Sequence, residues 1–210
     1  MSVEWPTLLR QISARLFEIT QGDEAAREMT WLQAAGDDPD RAAEEAEKRT
    51  KSRWLGFAGA SEEEIAARER ELGVKLPEDY KAFLRASNGF LSMNGFPHGI
   101  STLSPVQEIG WLRDLDNGRL EAYAEEFGSR DEDDIPDEWF VSYDEFESTL
   151  LIGDSDGNEC ILLKPPGPGL QTPNWNQWEV WLYDPEAGFD ILDDSPNTFL
   201  DFMSRGLTHE

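Results

Sequence analysis

The 210-residue chain has one cysteine, two histidines and only 18 lysines and arginines against 44 aspartates and glutamates. A lone cysteine, Cys160, forms no internal disulfide, which suits a reducing compartment. The shortage of cations leaves a formal charge of −26 at pH 7. A surface of that sign repels phosphate backbones and anionic lipid, so neither nucleic acid nor a membrane is an expected partner. No apolar run approaches the roughly 20 residues of a bilayer-spanning helix. The start, Met1-Ser2-Val3-Glu4-Trp5-Pro6, has neither the basic nor the apolar region of a secretory signal. The expectation is a cytoplasmic protein.

Catalytic signatures are missing too. There is no G-x-S-x-G, H-E-x-x-H, P-loop or G-x-G-x-x-G. Cys160 falls in a predicted buried strand, His98 in the loop Phe96-Pro97-His98-Gly99, and His209 is the penultimate residue, so a structural cysteine outweighs a Cys-His nucleophile. Asp154, Asp156 and Gly157 imitate a calcium loop, but counting from Asp154 the twelfth position is Pro165, where a bidentate glutamate is required. The segment reads instead as a hairpin turn. No metal, cofactor or enzymatic activity is expected.

What the chain does contain is 39% hydrophobic and 11% aromatic residues, enough for the core of one large domain or of one with an appendage. Trp5, Leu8, Leu9, Ile12, Leu16 and Phe17 recur at helical spacing. Gly36-Asp37-Asp38-Pro39 breaks the Ala- and Glu-rich stretch from Asp23 to Arg53, and Arg41 to Lys51 reads as a solvated helix or linker. Residues 1–53 are thus expected to be a helical extension and 54–210 the main domain. Ser61 with Glu64 forms a capping box, and the helix it opens should stop at Gly73. Pro77 is placed at the first position of a second helix, which runs out at Asn88-Gly89. Ile100 to Leu103 is a short extended candidate, and Ser104-Pro105-Val106-Gln107 is read as the start of a capped helix through Leu112. Leu120, Tyr123 and Phe127 suggest another turn or two of helix.

Farther on, Leu150-Leu151-Ile152 and Cys160-Ile161-Leu162-Leu163 flank an Asp-Gly turn. Trp178 to Tyr183 alternates with period two, with Phe189 to Leu192 as its hairpin partner. Ser195-Pro196 opens a last helix carrying Phe199, Leu200, Phe202 and Met203. Helices, then strands, then a helix describe an α+β fold, a largely antiparallel central sheet flanked by helices.

Trp54, Gly56, Ala60-Ser61-Glu62-Glu63-Glu64-Ile65, Glu69, Leu72-Gly73, Leu76-Pro77, Asp79-Tyr80, Phe83-Leu84 and Asn88-Gly89 resemble the opening of the SUKH superfamily. Ile152 to Asn158, Val180 to Tyr183 and the closing Ser195 to Phe202 helix resemble its later signature. The superfamily includes fungal Smi/Knr cell-wall regulators and many bacterial immunity proteins. The resemblance covers about Trp54 to Arg205 and implies a non-catalytic α+β body. It also implies a protein partner: a polymorphic toxin, often a nuclease or deaminase, that the protein neutralises, or else the targets of a hub-like regulator.

Two features bear on where such a partner would sit. The run Asp131, Glu132, Asp133, Asp134, Asp137 and Glu138 is either a solvated loop that maintains solubility or a surface that occupies a basic cleft as phosphates would. Among eight tryptophans, Trp178 shares a face with Val180 and Leu182 and reads as core. Trp181, on the other face with Tyr183, and the loop residue Trp175 are the candidates for an aromatic surface.

Overall fold

Period-two alternation in the second half of the chain sets the architecture, because it gives each central strand two apolar faces that both need cover. The computed structural model describes residues 4–35, 38–92, 102–127, 141–154, 159–166, 178–185, 188–191, 198–205 and 207. Its strands are β1 (Phe90–Leu91), β2 (Thr102–Leu103), β3 (Gly110–Trp111), β4 (Leu150–Asp154), β5 (Cys160–Lys164), β6 (Glu179–Asp184) and β7 (Gly188–Ile191). All pairings are antiparallel, in the order β1-β2-β4-β5-β6-β7. One edge of β4 is shared: β2 covers Gly153 and Asp154, and β3 covers Leu150 and Leu151. The register against β5 shifts between Leu151 and Gly153. Ile152 is the bulged residue, and its carbonyl accepts the Ser104 amide at 2.8 Å.

Nine helices complete the described fold: α1 (Trp5–Ile19), α2 (Glu24–Ala34), α3 (Pro39–Ser52), α4 (Glu62–Leu72), α5 (Glu78–Ala86), α6 (Leu112–Leu115), α7 (Asn117–Phe127), α8 (Tyr143–Glu147) and α9 (Phe199–Arg205). Ile161, Leu163, Val180 and Leu182 point to the first sheet face, where α1, α5 and α9 bring Trp5, Tyr80, Phe83 and Phe199 into one cluster. The Trp5 ring lies 5.8 Å from Phe83 and 5.9 Å from Phe199, and Tyr80 meets Phe199 edge-on at 4.8 Å. Cys160, Leu162, Trp181 and Tyr183 point the other way, into a second cluster with Leu112, Tyr123 and Phe146 from α6, α7 and α8. The fold is α+β, with the sheet held between two helical layers.

The local signals of the helices mostly hold. The stripe of α1 is buried as its spacing predicts. Asp38 caps α3 by accepting from the Asp40 and Arg41 amides. Ser61 and Glu64 form the capping box of α4, and Gly73 closes that helix at φ +71°. The first three helices are tied to the segments around β1: Ser13 Oγ accepts from the Leu55 amide, Thr30 Oγ1 donates to the Ser92 carbonyl, and buried Arg49 donates to the Gly56 carbonyl at 3.0 Å.

Three expectations need adjustment. Pro77 is the N-cap of α5 and not its first residue. Residues 104–107 form no helix: the Asn88 side chain takes the Val106 amide at 2.7 Å and the Ser104 amide extends the sheet, so amides that would open a helix are already committed. The stretch after Leu112 yields α7, eleven residues long. Apart from these, the sequence pattern gives no expectation for α8, which Ser142 caps and Phe146 anchors in the second cluster. Thr198 Oγ1 accepts from the Asp201 amide ahead of α9, whereas Ser195 and Pro196 lie outside the described residues, as do His98 and His209.

Candidate protein-interaction face

Charge is distributed unevenly along this architecture. Residues 1–110 carry 19 acidic and 13 basic side chains, whereas residues 111–210 carry 25 acidic and 5 basic ones. On the first helical layer several carboxylates are met by cations. Glu69 is held by Lys81 at 3.4 Å and by Lys75, Lys81 also pairs with Glu78, and Arg85 pairs with Glu62. Burial opposes ionisation of Glu69. The Lys75 hydrogen bond, the Leu76 amide and the charge of Lys81 outweigh it and hold the carboxyl below its usual range.

The second layer differs. Its described bases, Arg113, Arg119 and Lys164, are turned inward or stacked. Arg119 is buried between Asp116, 2.9 Å away, and Asp154, 3.6 Å away. Lys164 lies under α8, donating to the Glu145 carbonyl and Ser148 Oγ at 3.2 Å each, with its ammonium 5.0 Å from the Trp181 ring. Burial lowers the Lys164 pKa, and Glu145 and Glu179 pull it only partly back. Arg113 stacks on Trp111. Asp114, Glu121, Glu125 and Asp144 stand exposed on the outside and form no ion pair among the described residues.

The six carboxylates singled out in the sequence, Asp131, Glu132, Asp133, Asp134, Asp137 and Glu138, lie outside the described residues. Their flanks are described and belong to this layer: α7 ends at Phe127, and Tyr123 Oη donates to the Val141 carbonyl at 2.6 Å. Sequence reading found the tract by composition. It missed Arg119 and Lys164, which a search for isolated bases in an acidic half would have found.

The other candidates resolve as core. Trp178 packs on the first face as expected. Trp181 and Tyr183 form no aromatic surface, because α7, α8 and Phe189 cover them in the second cluster; Trp175 lies outside the described residues. Cys160 is buried, and burial pushes its thiol up to about 12 against the pull of nearby Arg119, which holds it neutral. A shallow groove of about 390 Å³ between α2 and α3, lined by Trp31, Leu32, Ala42 and Ala46, brings together no catalytic set. No group of three or more His, Cys, Asp or Glu suited to a metal occurs among the described residues, and no described helix is long and apolar enough to cross a membrane.

In this arrangement several carboxylates of the first layer are paired with cations, whereas Asp114, Glu121, Glu125 and Asp144 of the second are exposed and form no ion pair among the described residues. No curated protein matches the chain. The family model described as SMI1 / KNR4 family (SUKH-1) matches residues 59–205, from the approach to α4 through the end of α9. That span holds the whole sheet and α4 to α9, with α1, α2 and α3 ahead of it, and the chain belongs to the SMI1 / KNR4 family (SUKH-1).

Proposed function

We propose that this protein is a non-catalytic, cytoplasmic immunity protein that binds a cognate polymorphic toxin and neutralises it stoichiometrically. The observation that carries the reading is the concentration of net negative charge on residues 111–210 of a SUKH-1 chain. Nuclease toxins present basic clefts to their substrates. A carboxylate-rich surface enters such a cleft in place of phosphate, and the long-range attraction accelerates encounter up to about 10⁸–10⁹ M⁻¹s⁻¹ at low salt. In this reading Asp131, Glu132, Asp133, Asp134, Asp137 and Glu138 contact the toxin, residues 54–210 are the recognition domain, and residues 1–53 are a helical extension.

The test is co-expression with a toxin domain encoded beside this gene. The expected result is restored growth and a one-to-one complex whose association rate falls steeply with ionic strength. Undiminished toxicity together with no complex between the purified pair overturns the proposal.

A second reading is a regulatory scaffold of the Smi/Knr type. The groove between α2 and α3, which lies ahead of the family match, favours it by offering a separate surface. Partners that depend on that groove and ignore charge changes in the second layer would select this reading over the first.

A further inference from the structure

Three large apolar side chains are exposed among the described residues: Ile19, Leu115 and Tyr143. Two of the three belong to the acidic layer. Leu115, 47% exposed, ends α6, and Tyr143, 40% exposed, opens α8. Each is one helical turn from a side chain that pins its helix to the sheet, Leu112 and Phe146, both fully buried. Lys164 fixes α8 from beneath through the Glu145 carbonyl and Ser148. Leu115 and Tyr143 are therefore carried on anchored elements, next in sequence to the exposed carboxylates Asp114 and Asp144, which form no ion pair among the described residues. Isolated apolar side chains on a charged, well-supported surface are the composition of an interface anchor with a polar rim, and tyrosine is among the residues enriched at such anchors.

We propose that the outer surface of α6, α7 and α8 is the docking surface of this protein, and that it takes a basic protein surface whose own apolar side chains cover Leu115 and Tyr143. This rests on the binding reading above and names the surface and partner chemistry for it. Among the described side chains of α6, α7 and α8, Asp114, Glu121, Glu125, Asp144 and Glu145 are exposed against one exposed cation, Arg113, so charge complementarity selects a cationic partner. It disfavours a second copy of this chain, whose like surface would be repelled. Carboxylates alone would give fast, weakly oriented encounter; the two apolar side chains supply the short-range, orienting contact.

The experiment uses the full chain and two synthetic peptides of equal positive charge, one of lysine and serine and one an amphipathic lysine–leucine sequence. Binding is followed through backbone amide shifts and affinity. Both peptides should shift amides of α6, α7 and α8, with the lysine–leucine peptide binding more tightly. The variant L115A/Y143A should weaken the lysine–leucine peptide by about tenfold and leave the lysine–serine peptide unaffected. The variant E121K/E125K/D144K should abolish binding of both, whereas E44K/E47K on α3 should leave both intact. All these positions are exposed, and native amide dispersion checks that each variant is folded. Shifts spread evenly over the surface, shifts centred on α2 and α3, or a lysine–leucine affinity indifferent to L115A/Y143A would each overturn the proposal. No toxin enters this assay, so its failure is separable from failure of the immunity reading.

Discussion

Removing the charge of Glu69 should weaken the fold in a way that depends on pH. The Glu69 side chain is 5% exposed in the turn between α4 and α5. One oxygen accepts the Leu76 amide at 3.1 Å and faces Lys81 at 3.4 Å, while the other meets Lys75. Lys75 is 79% exposed and turns to water at little loss, so its pair contributes about 0–0.5 kcal/mol. In E69Q an oxygen remains for the Leu76 amide and Lys81 keeps Glu78, so the expected loss is about 1–1.5 kcal/mol, that of weakening charge-assisted hydrogen bonds. E69A also strands the buried Leu76 amide and should lose about 2–4 kcal/mol.

The sign of the pH effect comes from the depressed carboxyl. A group that ionises more readily folded than unfolded stabilises the protein above its unfolded value, about 4.3 for glutamate, and loses that contribution as pH falls through the folded value. The gap between wild type and E69Q should therefore be constant near neutrality and close below about pH 4. Urea denaturation followed by tryptophan fluorescence from pH 7 to pH 3 measures it. A gap that persists or widens on acidification, or an E69Q as damaged as E69A, would refute the reasoning.

Two further outcomes are expected. W5A should cost about 3–5 kcal/mol because the buried Trp5 ring packs against both Phe83 and Phe199; the loss should appear within a single unfolding transition, and a separate early transition for α1 would contradict its place in the first core. Cys160 should resist thiol reagents in the native state, since its thiol is buried and pushed up to about 12. Labelling in increasing urea should track global unfolding, and rapid native-state labelling would contradict the buried assignment.

What could be read from the sequence was what is encoded locally. The capping box at Ser61 and Glu64 and the left-handed Gly73 each involve residues at most a few positions apart, and the alternation in β6 needs no knowledge of its neighbours. The helix expected at residues 104–107 does not form because the deciding partner, Asn88, sits 18 positions upstream of Val106. The two faces of Trp181 and Val180 were visible from the alternation, yet nothing local reveals that α7 and α8 cover one of them. For the candidate face, composition exposed the carboxylates. The placement of the described ones, Asp114, Glu121, Glu125 and Asp144, depends on the chain passing from β3 through α6, α7 and α8 before returning at β4, a path set by tertiary packing.

The residues that carry the family resemblance are architectural. Ser61 and Glu64 cap α4, Glu69 closes the turn to α5, and Asp79 accepts the Leu200 amide at 3.2 Å, joining α5 to α9, at the expense of a carboxyl that burial pushes upward. Tyr80, Phe83 and Leu84 are fully buried. Asn88 holds Val106, and Gly89 has φ +96° with the Leu103 carbonyl so close that a side chain would collide with it. Such residues determine how the first layer packs on the sheet and leave the partner unspecified. The carboxylates of the second layer have the opposite character: Glu125 and Asp144 hold no other residue in place, and their mutual repulsion works against the compact state. Arg119 and Lys164, buried beneath them, offset that repulsion from inside without covering the outer surface. The outer charges can therefore change while the anchors under them stay, which makes this layer the part of the fold free to be matched to a partner.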